Sequence, residues 1–550
     1  MPERSQPAQM RWWGWGQDGH GPTLTAQTLD YLRGTVGTGV RPRPPVALAA
    51  VKLAPSRLRE PAADALRAIL GADGVALDHR ARVLHAAGKG YPDLVRLRAG
   101  APEGAPDAVL FPATHEQVRA VLELCTRSSI ALVPFGGGTS VVGGVAPLAG
   151  VHAAVLALDT RRMDAVLELD RESSTVAVQA GLRAPALERH LGAHGLTLGH
   201  FPQSFEYVSL GGCAATRSAG QASTGYGAIE KMVLGLRMAA PATDISLRAL
   251  PATAAGPSVR QLLVGSEGVL GVISELQLRV RALAQERVYE GVFFEDLAAG
   301  VAGLRELARE HALPDVVRLS DERETQISLL LAGGGSLKGR LARTYLGVRG
   351  HRGGCLAILG FEGAREEVAF RRGRALALLS AHGARVVGRA PGRAWVKGRF
   401  EAPYLRDQLL THGVMVETLE TAVQWSGLAV AHRAVADAIS GALERGGTPG
   451  IVMCHASHVY ESGASLYFTL IARQREGEEI EQWREVKHAA SEAILDAGAT
   501  ITHHHAVGRD HMPWMARELG EGALAALAAV KRELDPAGIM NPGKLLPAAV

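Results

Sequence analysis

The sequence predicts an α+β protein in which short apolar strands alternate with helices and glycine turns, and three stretches carry that expectation. Thr114 and Gln117 form a capping box ahead of Val118, Val121, Leu122 and Cys125, whose spacing lines one apolar helix face. Residues 174–180 and 272–280 alternate polar and apolar side chains with the period of a half-buried strand. Between the helix and the strands runs Phe135-GGGTSVVGG-Val145, which directly follows the short apolar stretch 130–133. Short strands mixed with helices in this way read as α+β.

Taken in order, residues 1–105 form an N-terminal region of loops and helix, with a proline break at 41–45 and helical spacing over 61–70. Trp12, Trp13 and Trp15 sit there among glycines; the expectation is that they plug an apolar groove, with a membrane or partner contact as the other reading. Residues 106–283 make the next unit, with strands expected at 130–133, 154–158, 166–169, 174–180 and 272–280 and a helix at 185–194. Residues 284–500 mix helix and strand around an exposed loop expected at 332–340. The segment 501–550 holds a histidine cluster, a helical stretch at 518–534 and the tail NPGKLLP. No internal repeat is evident.

Composition excludes several classes. Lys+Arg total 59 against Asp+Glu 55, a balance of +4 spread along the chain, so no basic face for nucleic acid stands out. Cys125, Cys213, Cys355 and Cys454 lie far apart, a reduced-compartment pattern without disulfide framework or zinc ribbon. The first twenty residues lack an apolar signal core, and no stretch approaches the ~18 apolar residues of a membrane span. The tail is not a Ser-Lys-Leu peroxisomal address. The expectation is a cytoplasmic protein, and the Ala/Arg/Gly-rich composition points to a bacterial source. The 65 glycines show no G-X-Y period, so they mark tight turns and close backbone approaches.

The glycine run is a phosphate cradle by its chemistry: three successive glycines let backbone N–H groups converge on an anion, and Thr139 and Ser140 add hydroxyl donors. It is not a Rossmann fingerprint, because Val141 stands where the third glycine belongs, and it lacks the Gly-Lys-Ser/Thr of a Walker loop. Three further loops follow in order: QSFEYVSLGGCAATRSAG at 203–220, GYGAIEKMVLGLRMAAP at 225–241 and GSEGVLGVISELQLRV at 265–280. This ordered set, with NPGKLLP at 541–547, resembles the FAD-binding domain of the vanillyl-alcohol oxidase/p-cresol methylhydroxylase superfamily. The resemblance implies a two-subdomain FAD-binding domain followed by an α+β cap domain with an antiparallel sheet. By resemblance the cofactor lies against Pro134, Phe135, Gly136, Gly137, Gly138, Thr139 and Ser140. Gln203, Ser204, Ser209, Gly212, Thr216, Arg217, Ser218 and Ala219 are carried over from the second loop, and Glu267, Gly268, Gly271, Val272 and Ile273 from the fourth. Covalent members often carry a histidine after the glycines; Thr139 stands there, which implies non-covalent FAD.

Two branches of flavoprotein compete. The glycolate and D-lactate dehydrogenase branch carries paired metal-ligand motifs that CHASHVYESGASLYF (454–468) and ITHHHAVGRDH (501–511) do not reproduce. Those stretches instead resemble the alkyldihydroxyacetonephosphate synthase (alkylglycerone-phosphate synthase) family. The likeness includes Arg-Trp-x-Gly-Trp-Gly at 11–16, Val-Arg-Leu at 317–319, Tyr-Leu-Arg-Asp at 404–407 and the triple histidine. It implies an enzyme of ether-lipid synthesis: flavin N5 takes up C1 of acyl-dihydroxyacetone phosphate, the fatty acid leaves and a fatty alcohol replaces it, without net redox. The partners so implied are these lipid substrates, a peripheral membrane contact and a second copy of the chain as a homodimer, with no nucleic acid and no resident metal. The alternative is a FAD-linked dehydrogenase or oxidase of a 2-hydroxy acid.

For the synthase chemistry, Tyr467 is the expected acid/base at C1, provided that neighbouring cations lower its pKa from ~10. Arg406 and Arg318 match the family's active-site arginines and offer forks for the substrate phosphate. His503, His504 and His505 are the remaining catalytic candidates; in a strand, His504 faces opposite to the other two. A metal site or a polar loop are the other readings of the same three residues. His455 and His458 around Cys454, and Arg509-Asp510 where a lysine is usual, depart from the family's pattern.

Overall fold

The computed structural model describes residues 9–39, 41–333 and 353–547. Three sheets organise them. The first holds β1 (Val75–Ala76), β2 (Ala108–Leu110), β3 (Ile130–Phe135) and β4 (Ala154–Asp159) in the order β1-β2-β4-β3, with β2, β4 and β3 parallel and β1 antiparallel at the edge. The N-terminal region, expected as loops and helix, therefore donates an edge strand to this sheet. The capping-box helix runs His115–Ser128, with Thr114 Oγ1 accepting from Gln117 N, and buries Val118, Val121, Leu122 and Cys125 as their spacing requires. They pack with Leu66, Leu132 and Leu156.

The second sheet is antiparallel: β5 (Val166–Asp170), β6 (Thr175–Gln179), β8 (Val233–Ala239), β9 (Asp244–Leu247) and β10 (Val272–Arg279), ordered β5-β6-β10-β8-β9. Beside it β7 (Leu196–Thr197) pairs with β11 (Arg281–Ala282). Two short helices, Ser223–Tyr226 and Ile229–Met232, lie ahead of β8 where the sequence reads as a turn.

The third sheet has seven antiparallel strands: β12 (Glu286–Phe294), β13 (Val316–Ser320), β14 (Cys355–Gly363), β15 (Arg385–Gly388), β16 (Val414–Gln424), β17 (Ile451–Val459) and β18 (Gly463–Arg473). Their order is β15-β12-β14-β13-β17-β18-β16. Alternation splits its residues between two faces. Leu319, Leu419, Cys454, Ala456, Leu466 and Phe468 share the largest core cluster with Leu304, Leu379, Ile439 and Ala490 from four covering helices. The opposite face carries polar side chains. Of the loop expected at 332–340, residues 332 and 333 end the helix Glu322–Gly333 and the rest lies outside the described residues.

The tail returns to the first sheet. Leu132 N donates to Ile539 O at 2.8 Å and Asn541 N to Leu132 O at 2.8 Å, which adds Met540 beside β3. Among the described residues, no helix is long and apolar enough to cross a membrane.

Candidate active site

Loops of the first two sheets and the polar face of the third enclose a cavity of about 400 Å³. One end is the glycine loop after β3. A Cβ on Gly136 would lie 2.2 Å from Ser209 Oγ, and one on Gly137 would lie 2.4 Å from Tyr207 O, so side chains are sterically excluded. Residue 138 adopts φ +67°, which favours glycine. The loop is clamped by Arg183, whose Nη2 donates to Gly136 O at 3.2 Å and Nη1 to Tyr207 O. Asn541 Nδ2 closes the other side, donating to Gly144 O at 3.1 Å and Glu267 O at 2.7 Å.

Residues 134–140 line this cavity, as do Gln203, Ser204, Ser209, Gly212, Thr216, Ser218, Ala219, Glu267, Gly268, Gly271, Val272 and Ile273. Arg217 is the correction: it is exposed, its Nε donates to Val264 O at 2.9 Å and its Nη2 to Gln261 O at 2.6 Å. Its φ of +49° turns the side chain outward, so it staples two loops together and does not face the cavity. Glu267 accepts from Val507 N and Gly508 N at 2.8 and 2.7 Å; burial nevertheless raises its carboxyl to about 7. Gln203 Nε2 and Gln221 Oε1 are buried on the cavity wall without a partner. A glycine cradle that a Cβ would fill, together with these orphaned amide groups, fits a bound dinucleotide such as FAD.

The opposite wall is the third sheet. Register places Glu420 of β16, Tyr467 of β18, His455 of β17 and Ser320 of β13 side by side on one face. Tyr467 stacks on His455 at 4.9 Å between ring centroids, and it meets His504 at 6.0 Å and His505 at 5.6 Å. Burial pushes its phenol up to about 12, and the Arg318 charge does not reverse this. The condition expected from the sequence, a pKa lowered by cations, is therefore not met. Tyr467 keeps its proton at neutral pH and is a donor.

The two arginines differ. Arg318 Nη2 donates to Glu324 Oε1 at 2.7 Å, and its Nη1 lies 3.0 Å from His455 Nε2, so its charge is already balanced. Arg406, on the helix Ala402–Thr411, donates from Nη1 to Lys89 O at 2.8 Å; its Nη2 faces the Asp407 carboxylate at 3.6 Å, an ion pair too long for a hydrogen bond, so its Nε and Nη2 are buried without a hydrogen bond. Beside it, the buried Lys89 ammonium is brought down to about 8, chiefly by desolvation.

The triple histidine is not a strand, so the alternation a strand would give it does not apply. Residues 502–505 bend around the Glu420 carboxylate, which accepts from Thr502 Oγ1 (2.6 Å) and from the backbone N–H of His503 (2.5 Å), His504 (3.1 Å) and His505 (2.8 Å). Three successive N–H groups cannot converge on one group from a strand, where they alternate in direction. Burial opposes Glu420's charge, but the positive charge that the three imidazoles acquire as pH falls, with Thr502, outweighs it and holds the carboxyl well below its ordinary range. Burial drives His504 down to about 3 and lowers His503, His505 and His458 as well, so all four are neutral at pH 7. His504 and His505 line the cavity with Tyr467, Arg318 and Arg406, whereas His503 stands behind them.

His458 joins the cluster through a register shift between Ser457 and Val459, with φ +46°. Its ring lies 5.0 Å from those of both His503 and His504, and its Nδ1 lies 2.5 Å from Ser223 Oγ. Ring nitrogens of His458, His503 and His504 come within 4.8 Å of one another; His503 Nδ1 lies 2.9 Å from His504 Nδ1.

The N-terminal strap closes the remaining side. Trp15 is buried against Met10, Tyr207 and Tyr404 and lines the cavity, as a groove plug should. Its backbone N–H donates to Asp407 Oδ2, and Arg11 Nε donates to its carbonyl at 2.7 Å. Trp13 instead lies under the Arg11 guanidinium at 4.2 Å.

Sequence reasoning missed Glu420, Arg183 and Lys89, and it noted His458 only as a departure from the family's pattern. Glu420 shares its strand with a second glutamate, Glu417, so an acidic residue in that strand did not single it out, and Arg183 and Lys89 left no signal.

The FAD binding domain family matches residues 106–245, and the family of FAD linked oxidases, C-terminal domain, matches 283–545. The chain is 34% identical over 489 residues to the alkyldihydroxyacetonephosphate synthase of Dictyostelium discoideum, covering 88% of this chain and 80% of that protein. A solved alkyldihydroxyacetonephosphate synthase superposes with a TM-score of 0.85 at 29% identity, over 98% of this chain and 99% of the other. A p-cresol methylhydroxylase with substrate bound superposes with a TM-score of 0.68 at 15% identity, over 90% of this chain and 98% of the other, a likeness of fold. The Dictyostelium relative is eukaryotic, so it lends no support to the bacterial source read from composition.

Proposed function

Because the chain belongs to the alkyldihydroxyacetonephosphate synthase family, we propose that it is a FAD-dependent transferase that exchanges the acyl chain of acyl-dihydroxyacetone phosphate for a fatty alcohol. The observation that carries this reading is one cavity holding a phosphate cradle at one end and, at the other, an arginine with two guanidinium nitrogens free of hydrogen bonds beside a tyrosine–histidine set.

FAD, when bound, supplies the group that carries the dihydroxyacetone-phosphate unit between loss of one chain and arrival of the next. The protein's own residues do the rest. The glycine loop, Ser209 and Gln203 hold the cofactor, and Thr139 offers no imidazole for attachment, so FAD is held without a covalent bond. Arg406 presents Nε and Nη2 to the substrate phosphate, a two-pronged contact that Arg makes and Lys cannot. Neutral His504 and His505 accept protons at the reacting carbon and at the alcohol hydroxyl, and Tyr467 donates. Val316, Val317, Trp395 and Pro403 give the cavity an apolar flank for the chains. Water-insoluble substrates support a peripheral membrane contact; the homodimer rests on the family resemblance alone.

The reading is tested by incubating the protein with acyl-dihydroxyacetone phosphate and an isotopically labelled fatty alcohol. Labelled ether product should form with one free fatty acid per exchange. Arg406→Lys should raise KM for the phosphate substrate by about 10- to 100-fold, the worth of one charge-assisted hydrogen bond, with FAD content unchanged. An unaltered KM would remove Arg406 from the phosphate seat.

A further inference from the structure

The exchange releases a proton, which must leave a buried site. The ester C1–O bond breaks and the chain departs as a carboxylate, ionised at neutral pH. The new C1–O ether bond forms as the alcohol oxygen loses its hydrogen. One proton per turnover therefore appears inside the cavity, among neutral imidazoles.

His503 does not line that cavity, so its place in the cluster needs another account. Its Nδ1 lies 2.9 Å from His504 Nδ1, and its Nε2 lies 2.6 Å from the Tyr460 hydroxyl. Tyr460 is partly exposed at the hairpin between β17 and β18, where its N–H donates to Gly463 O at 2.8 Å and Glu461 and Ser462 are solvent-exposed. The inner end is His504, on the cavity wall; the outer end is Tyr460, a partly exposed residue beside the exposed hairpin turn. Glu420 fixes the backbone of both histidines, and the His458 ring packs beside both.

We propose that His504, His503 and Tyr460 form a proton relay that carries the alcohol's proton from the cavity to solvent. His504 takes the proton on Nε2 and passes one from Nδ1 to His503 Nδ1. His503 releases its Nε2 hydrogen to the Tyr460 oxygen, and Tyr460 gives its own hydroxyl hydrogen to water. Each group gains one proton and loses one, so no charge is left behind and no oxidant or reductant is needed. His503 and Tyr460 are thus positioned for proton transfer without touching substrate, which gives the third histidine a role distinct from the other two.

The proposal rests on the transferase reading, and Tyr460→Phe tests it separately. The variant keeps the ring, so FAD content, melting temperature and KM should stay at wild-type values. In dilute buffer kcat should fall by about 10- to 100-fold, the low end of what a positioned proton-transfer group contributes. Added imidazole or another small buffer should restore it in proportion to concentration, and the solvent deuterium effect on kcat should grow. A role in packing alone responds to neither. His503→Gln, which breaks the relay one step inward, should show the same buffer rescue and serves if Tyr460→Phe does not fold. Wild-type turnover alongside variants of full kcat and no buffer dependence overturns the relay and leaves the transferase reading intact. Wild-type protein that releases no fatty acid overturns that reading instead.

Discussion

Tyr467→Phe is expected to retain FAD and lose fatty-acid release by about 10²- to 10⁴-fold, the usual worth of one general acid or base. The ring has its packing already, between the His455 ring at 4.9 Å and the His504 and His505 rings at 6.0 and 5.6 Å, and phenylalanine preserves it. Only the hydroxyl goes, and burial has pushed that hydroxyl up to about 12, so what is lost is a proton donor. KM for the phosphate substrate should stay near wild type, because Arg406 is untouched. Fatty-acid release and flavin absorbance measured on the same preparation separate the outcomes. Lost flavin means the tyrosine is a structural part of the cavity; full activity with bound flavin moves proton donation elsewhere in the cluster.

Glu420→Gln should be the most damaging single change outside the cavity lining. The carboxylate accepts from Thr502 Oγ1 and from three consecutive backbone N–H groups, and it is almost fully buried. Glutamine keeps one oxygen and turns an NH₂ toward the same donors. At about 1–3 kcal/mol for each buried donor left unsatisfied, stability should fall on the order of 3 kcal/mol, and the loop that presents His504 and His505 should loosen. Activity should drop at least as far as in Tyr467→Phe, because both histidines move together. The pH dependence follows from the direction of the shift. Glu420 is depressed below its unfolded value of ~4.3, so its contribution is fully present above that pH and is lost as pH falls through the lower folded value. The difference in stability between wild type and variant should therefore hold constant from neutral pH to about pH 4 and shrink only below it. Chemical denaturation of both proteins across that range measures it, and equal stability at pH 7 would show that the loop holds itself.

The cofactor half of the site was legible because its signals are local. The glycine run, the loop at 203–220 and the GSEG turn each carry their small residues and hydroxyls in one short stretch, and every cofactor candidate named from them except Arg217 lines one cavity. Arg217 misled because its outward turn depends on a positive φ and on carbonyls of Val264 and Gln261, which no local pattern reports. The acid/base half was legible only as residue types. Glu420, Tyr467 and His455 are neighbours through strand register, across a sheet whose order is not the order of the chain. The bend of the histidines, one of the readings left open as a polar loop, could not be chosen over a strand for the same reason: the group that bends them lies more than eighty residues away, on β16. Arg183 and Lys89 likewise act through backbone carbonyls of distant loops, contacts that side-chain chemistry does not announce.

The most direct test of the central claim is the flavin spectrum during turnover, recorded anaerobically with fatty acid measured in the same cuvette. With acyl-dihydroxyacetone phosphate and fatty alcohol, one fatty acid should be released per ether formed, with the flavin oxidised and yellow when the reaction ends. A panel of 2-hydroxy acids should leave the absorbance unchanged. Bleaching of the flavin by any of those acids, with no fatty acid released from the phosphate ester, would contradict it.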